Sequence, residues 1–278
     1  MISTLHFFVH CKGTTKYSFE FGSYKILGGK AKKVELRSNE SQWRSEIALL
    51  FNRLPIEKQN ILFYIHGLWA DNKHFVASST AVLQEEIFNS PQNPYCLIIS
   101  LQWEAGIIYK KNYLIAQNKG RIFSKIIENI LVDLYFDGSN IDVSFLNHSM
   151  GNIVFDALIN ALVESKMHFK FKYALMMAAD LPNDVFQSTM KSMPEVFEAI
   201  YVYYNLNDMT LQVANAMSPK ARIGIYGPAT GELLPSNIKL RDASDITDNE
   251  SFFSKVTFHR YFYTSPTIRA EILKILSQ

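Results

Sequence analysis

The stretch from Ile141 to Ser165 constrains this chain more than any other. It reads Ile-Asp-Val-Ser-Phe-Leu-Asn-His, then Ser149-Met-Gly151, then a segment with helical periodicity. In that segment Asn152, Asp156, Asn160 and Glu164 recur every four residues as one thin polar stripe. Ile153, Val154, Phe155, Leu158, Ile159 and Leu162 fill most of the rest. A helix with so narrow a polar stripe is mostly buried. A buried helix entered directly from an apolar strand packs against the middle of a sheet. Its N-terminus then emerges at the strand ends, where α/β proteins build their ligand sites.

The rest of the chain repeats this alternation. Strand-like runs occur at Leu5–Cys11, Lys33–Arg37, Ile61–His66, Tyr95–Gln102, Ile141–Asn147, Phe169–Ala178, Ala199–Tyr204 and Lys255–His259. Helix-period segments, such as Ser41–Leu54 and Arg121–Leu134, lie between most of them. Runs that are apolar on both faces suit strands covered on both sides. The expected fold class is therefore α/β: a mostly parallel central sheet of about eight strands with helices on both faces. No repeat or long linker divides the sequence, so residues 1–278 are expected to form a single domain. The gap between the Asp180 and Ala199 runs is too short for a large lid domain.

Composition supports this and excludes other classes. Hydrophobic residues make up 48%, with 20 Phe and 14 Tyr, enough for a full core and incompatible with disorder. A net charge of +2 argues against a dedicated nucleic-acid binder. Cys11 and Cys96 are too few for a disulfide framework and are expected as buried free thiols. The N-terminal MISTLHFFVHCKG lacks a basic leader region and reads as a first strand. No run approaches the ~18 apolar residues of a transmembrane segment, so a cytoplasmic location is expected. Nothing in the sequence specifies an oligomeric state.

The turn at Ser149 has the layout of a nucleophile elbow: strand, Ser, then helix at once. Gly151, two residues on, lets strand and helix pass closely. The helix N-terminus brings free N–H groups near the serine oxygen, and the N–H of Met150 is one donor for a developing oxyanion. Upstream, the strand Ile61-Leu-Phe-Tyr-Ile ends in His66-Gly67-Leu68. As metal ligands, His66, Asp71 and His74 match no standard zinc spacing.

The text Asn147-His-Ser-Met-Gly-Asn152 resembles the small-x-Ser-x-small motif of the α/β-hydrolase superfamily, in the HSMGN form of esterase- and lipase-like members. Asn147 stands where a small residue is usual. The motif order is similar to that of a family of largely uncharacterised bacterial α/β-hydrolases. It runs through His66-Gly67, Trp103 to Gly106, His148 to Asn152, Ala178 to Asp180, Tyr204 to Asp208, Arg222-Ile-Gly224 and His259-Arg-Tyr. The usual Pro after the Trp is replaced by Glu104. The likeness spans roughly residues 60 to 275.

This resemblance implies the α/β-hydrolase fold, with Ser149 as nucleophile and the second oxyanion donor at the Leu68 N–H. His66 would hold that loop. It also implies the chain order Ser, acid, His. His168 and His259 follow Ser149; His168 begins a strand, the wrong end of a parallel sheet. His259 follows the Lys255 run and precedes a helix starting near Pro266, and is the expected base. Asp208 occupies the commonest acid position, and Asp180, one strand earlier, is the alternate. The implied activity is a serine hydrolase cleaving a small-molecule carboxylic ester or thioester, with no metal or organic cofactor. Trp69–Phe75, Trp103–Tyr113 and Tyr226–Leu234 are expected to wall the pocket. The alternative is a hydrolase fold kept as a binding or interaction module, motivated by Asn147 and the lack of a substrate signature.

Overall fold

The computed structural model describes residues 5–27, 30–68, 80–106, 108–135, 141–166, 169–229, 233–250 and 252–278. Nine strands form one sheet: β1 (Leu5–Lys12), β2 (Ser18–Leu27), β3 (Lys30–Arg37), β4 (Ile61–Ile65), β5 (Leu97–Trp103), β6 (Val143–His148), β7 (Phe171–Met177), β8 (Phe197–Tyr204) and β9 (Ile238–Asp242). Their order is β3-β2-β1-β5-β4-β6-β7-β8-β9. β2 pairs antiparallel with β1 and β3, and every other pairing is parallel.

Alternation along β4 shows how the layers are built. Ile61, Phe63 and Ile65 face one side, and Leu62 and Tyr64 the other. The first side packs against helices α1 (Glu40–Phe51), α2 (Tyr109–Tyr135) and α3 (Gly151–Glu164) through Trp43, Phe123, Ile127, Val154 and Leu158. The second packs against residues 80–88, α4 (Met209–Ala216) and α6 (Pro266–Leu276) through Leu83, Ile87, Leu211, Ile268 and Ile272. Both cysteines are buried free thiols. No large lid stands between β7 and β8 among the described residues; only short helical turns lie there. No described helix is long and apolar enough to cross a membrane.

Two strands were not expected, and one expected strand is absent. β2 alternates Phe19 and Phe21 with Glu20 and Gly22, a period-2 signal. β9, Ile-Lys-Leu-Arg-Asp, is a short, charged edge strand, the composition that keeps edges from pairing further. The Lys255–His259 run is no strand. Residues Phe252–Thr257 form helix α5, and Phe258 and His259 follow it in coil. Its short β-branched text was ambiguous, and packing beside α4 decides for helix.

Because β4, β6, β7 and β8 are parallel, their C-terminal ends share one edge of the sheet. His66–Leu68, Ser149, Asp180 and Asp208 all follow those ends.

Candidate active site

Ser149 turns the chain from β6 into α3 with a φ of 54°, one of four non-glycine residues in the left-handed region among those described. Such a conformation costs about 1–2 kcal/mol for an L-residue, so the surroundings must impose it. They do so through the Ser149 backbone. Its N–H donates to the Met177 carbonyl at 3.0 Å. Its carbonyl accepts from the Asp180 N–H at 3.2 Å and from the Asn152 side-chain amide at 3.0 Å.

Two close approaches make the turn possible. A Cβ at Gly151 would lie 2.4 Å from the His66 carbonyl oxygen, and one at Gly67 would lie 2.7 Å from the Ser149 Cβ. Neither position tolerates a side chain. Asn147, in the usual small position, is fully buried between β4 and β7. Both its amide atoms lack a hydrogen-bond partner among the described residues. The departure from the motif therefore does not open the turn; it leaves unsatisfied polar atoms beneath it, at about 1–3 kcal/mol.

The loop after β4 is held by His66. Its Nε2 accepts from the Trp103 N–H at 3.1 Å, so the proton sits on Nδ1, which donates to the Gly67 carbonyl at 2.7 Å. The ring stacks on Trp103 with 5.8 Å between centroids, and the indole N–H donates to the His66 carbonyl at 3.1 Å. Burial lowers the His66 pKa to about 4, which keeps it neutral. In a trans peptide the C=O and N–H point opposite ways. Fixing the Gly67 carbonyl therefore fixes the Leu68 N–H as well. Among the described residues, neither the Leu68 N–H nor the Met150 N–H has an acceptor.

Asp208 caps α4 with Oδ1, accepting the Leu211 N–H at 2.9 Å. Its Oδ2 accepts from His259 Nδ1 at 2.8 Å. Both residues are buried. His259 therefore reaches Asp208 from a coil after helix α5, rather than from the end of a strand as expected. The coil is held from two sides. Phe258, just before it, takes a φ of 51°. The His148 Nε2–H donates to the His259 carbonyl at 2.9 Å, with the two rings 4.7 Å apart. Burial holds the His148 pKa well below the usual imidazole value, so this donor is neutral. No hydrogen bond joins the Ser149 hydroxyl to His259 among the described residues; such contacts often tighten only around substrate.

Asp180 is engaged elsewhere. Arg222 Nε lies 3.1 Å from its Oδ1, and the Tyr109 hydroxyl sits 2.7 Å from Oδ2. Burial raises the Asp180 pKa, against the opposing pull of Arg222. This explains the Arg222-Ile-Gly224 element of the motif order: Arg222 compensates Asp180, while the Gly224 N–H donates to the Ala179 carbonyl at 3.0 Å. His168, set aside as a base, lies outside the described residues, as do Asp71 and His74.

Ser149, His259, Leu68, His148 and Asp180 all line one cavity of about 380 Å³. Its walls differ from the expectation. Trp69–Phe75 lies outside the described residues. Of the described residues of Trp103–Tyr113 only Tyr109 reaches the cavity, and none of those of Tyr226–Leu234 does. The apolar wall is α4 and the residue after it: Met209, Leu211, Val213, Ala214 and Met217. The signal for this wall was present in Met209, Val213 and Met217, spaced at helical repeats directly after Asp208.

No match to the chain is found among curated proteins. The turn at Ser149, the mostly parallel sheet and the residues at its edge agree with a family-level match over residues 44–275, and the chain belongs to the family described as alpha/beta hydrolase of unknown function (DUF900).

Proposed function

We propose that this protein is a serine hydrolase that cleaves a carboxylic ester or thioester through an acyl-enzyme. The observation that carries this reading is the 2.8 Å contact between His259 Nδ1 and Asp208, with His259 and Ser149 lining the same cavity. Ser149 Oγ attacks the substrate carbonyl carbon while His259 Nε2 takes its proton. Asp208 holds the Nδ1–H tautomer and stabilises the imidazolium. The carbonyl oxygen, negative in the tetrahedral intermediate, is held by the Leu68 and Met150 N–H groups; each such donor is worth about 10²–10³ in rate. His259 then protonates the leaving oxygen or sulfur, and water repeats the sequence to release the acid. On this reading the whole chain works as one domain, because the participating residues run from Leu68 to His259. The aliphatic and thioether wall of α4 suits an acyl chain.

The test is turnover of p-nitrophenyl esters of graded acyl length by wild type and Ser149→Ala. Loss of turnover in the variant supports the mechanism, and equal turnover contradicts it. The second reading, a hydrolase fold kept for binding, draws on the two orphaned amide atoms of Asn147 and the absent Ser149–His259 hydrogen bond. It predicts no turnover by wild type and a stable complex in pull-downs.

A further inference from the structure

The cavity at Ser149 does not end at its apolar wall. Tyr109 and Met217 line it on one side and, on the other, line a second cleft of about 290 Å³. The two spaces differ in charge. The first sets one carboxylate, Asp180, against one cation, Arg260, beside His259. The second is lined by Lys110, Lys220 and Arg222 and, among the described residues, by no carboxylate. Three cations thus line one small cleft of a chain whose net charge is +2.

Not all of that charge is free. Arg222 is compensated by Asp180, and Lys220 reaches Asp184 at 2.5 Å. Lys110 has no carboxylate partner among the described residues and stands exposed at the start of α2. The hydroxyls add donors. Ser218 Oγ accepts the Lys220 N–H at 3.3 Å, which leaves its own O–H to donate, and the Tyr113 ring lies over the Arg222 guanidinium at 5.9 Å. Ammonium and hydroxyl donors gathered without a lining carboxylate among the described residues suit a carboxylate or a phosphate.

We propose that the substrate is a bipartite anion. Its apolar acyl part lies against α4, and a carboxylate or phosphate group on the same molecule sits in the cleft of Lys110 and Lys220, past Tyr109. This rests on the serine hydrolase reading and narrows its substrate class.

The experiment compares kcat/KM for phenyl hexanoate, 4-(hexanoyloxy)benzoate and 4-(hexanoyloxy)phenyl phosphate, with the p-nitrophenyl monoester of suberic acid placing the charge on the acyl end instead. Wild type is expected to prefer at least one anionic ester over its neutral counterpart by tenfold or more. The arm showing that preference identifies carboxylate or phosphate, and leaving-group or acyl side. The double variant Lys110→Glu/Lys220→Glu is expected to reduce the anionic-to-neutral ratio at least tenfold. Added salt should lower the wild-type ratio. No preference in wild type, or the same ratio in the variant, overturns the proposal. A second readout is independent of turnover: phenyl phosphate and benzoate should protect wild type against heat more than they protect the variant. If no ester is cleaved yet this difference persists, the cleft stands and the hydrolase reading falls. If esters are cleaved with no anion effect in either readout, the reverse holds.

Discussion

Asp180 and Asp208 occupy equivalent places in neighbouring turns, one after β7 and one after β8, and both are buried. Their partners set them apart. Asp180 meets a full positive charge on Arg222 and a tyrosine hydroxyl. Asp208 meets only N–H groups, from Leu211 and His259, and no lysine or arginine among the described residues. A buried carboxylate already paired with guanidinium gains little from a second cation. One held by neutral donors gains most at the moment its imidazole partner becomes charged. That gain is realised in the transition state rather than before it, which is the requirement for catalysis. Under the proposed mechanism the difference divides the labour: Asp208 would serve the reaction, and the Asp180–Arg222 pair the shape of the cavity.

The sharpest way to break this comparison is to neutralise each carboxylate in turn. Asp208→Asn should lower kcat by about 10³–10⁴ with little change in the fold, because the tautomer and the stabilised cation are both lost. Asp180→Asn should lower kcat by less than about tenfold. Its main effect is on stability, on the order of 3 kcal/mol in urea melts, since Arg222 is left buried and uncompensated. Adding Arg222→Met to Asp180→Asn should recover part of that loss. Reversal of the two rate effects would make Asp180 the acid.

His148 tests the comparison one step further out. It holds the backbone of His259 while Asp208 holds the ring. His148→Phe should lower kcat roughly tenfold through misplacement of His259. The pH profile should keep its midpoint, because burial keeps His148 itself neutral across the working range. A shifted midpoint would mean that His148 takes part in the proton transfers.

The last effect is on stability alone and concerns a third buried carboxyl, away from the edge of the sheet. Asp156 on α3 accepts from the Asn160 amide at 2.9 Å, and burial raises its pKa from the usual 3.8 to about 6. Between those values the folded chain keeps a proton that the unfolded chain has released. Stability therefore falls as pH rises through that window and levels off above it. Asp156→Asn should remove this fall and leave the variant more stable at pH 7 by on the order of 2 kcal/mol. Urea melts at pH 4 to 7 check it, and parallel curves for the two proteins would contradict it.

The sequence and the structure agree best where one local signal is strong. The thin polar stripe after Ser149 and the apolar β4 and β6 runs were enough for the sheet and the strand–turn–helix at Ser149, while the loop at His66 was implied by the family resemblance. The late strands were harder to read, because β9 is five mostly charged residues and helix α5 is written in strand-like text. The chain order implied by the resemblance points to His259, but a helix and coil carry it where a strand is expected. The Asp180–Arg222 pair was not legible, since it joins turns 42 residues apart (222 − 180) and no local pattern marks it. Nor was the α4 wall legible: its apolar repeat is short, and aromatic loops elsewhere in the chain carry a more conspicuous pattern.

The central claim is that Ser149 is an activated nucleophile. Labelling with a fluorophosphonate, followed by peptide mass spectrometry, tests it most directly. The account predicts one adduct on Ser149, absent in Ser149→Ala and strongly slowed in His259→Ala. An unlabelled wild type, or an adduct that survives in Ser149→Ala, would contradict it.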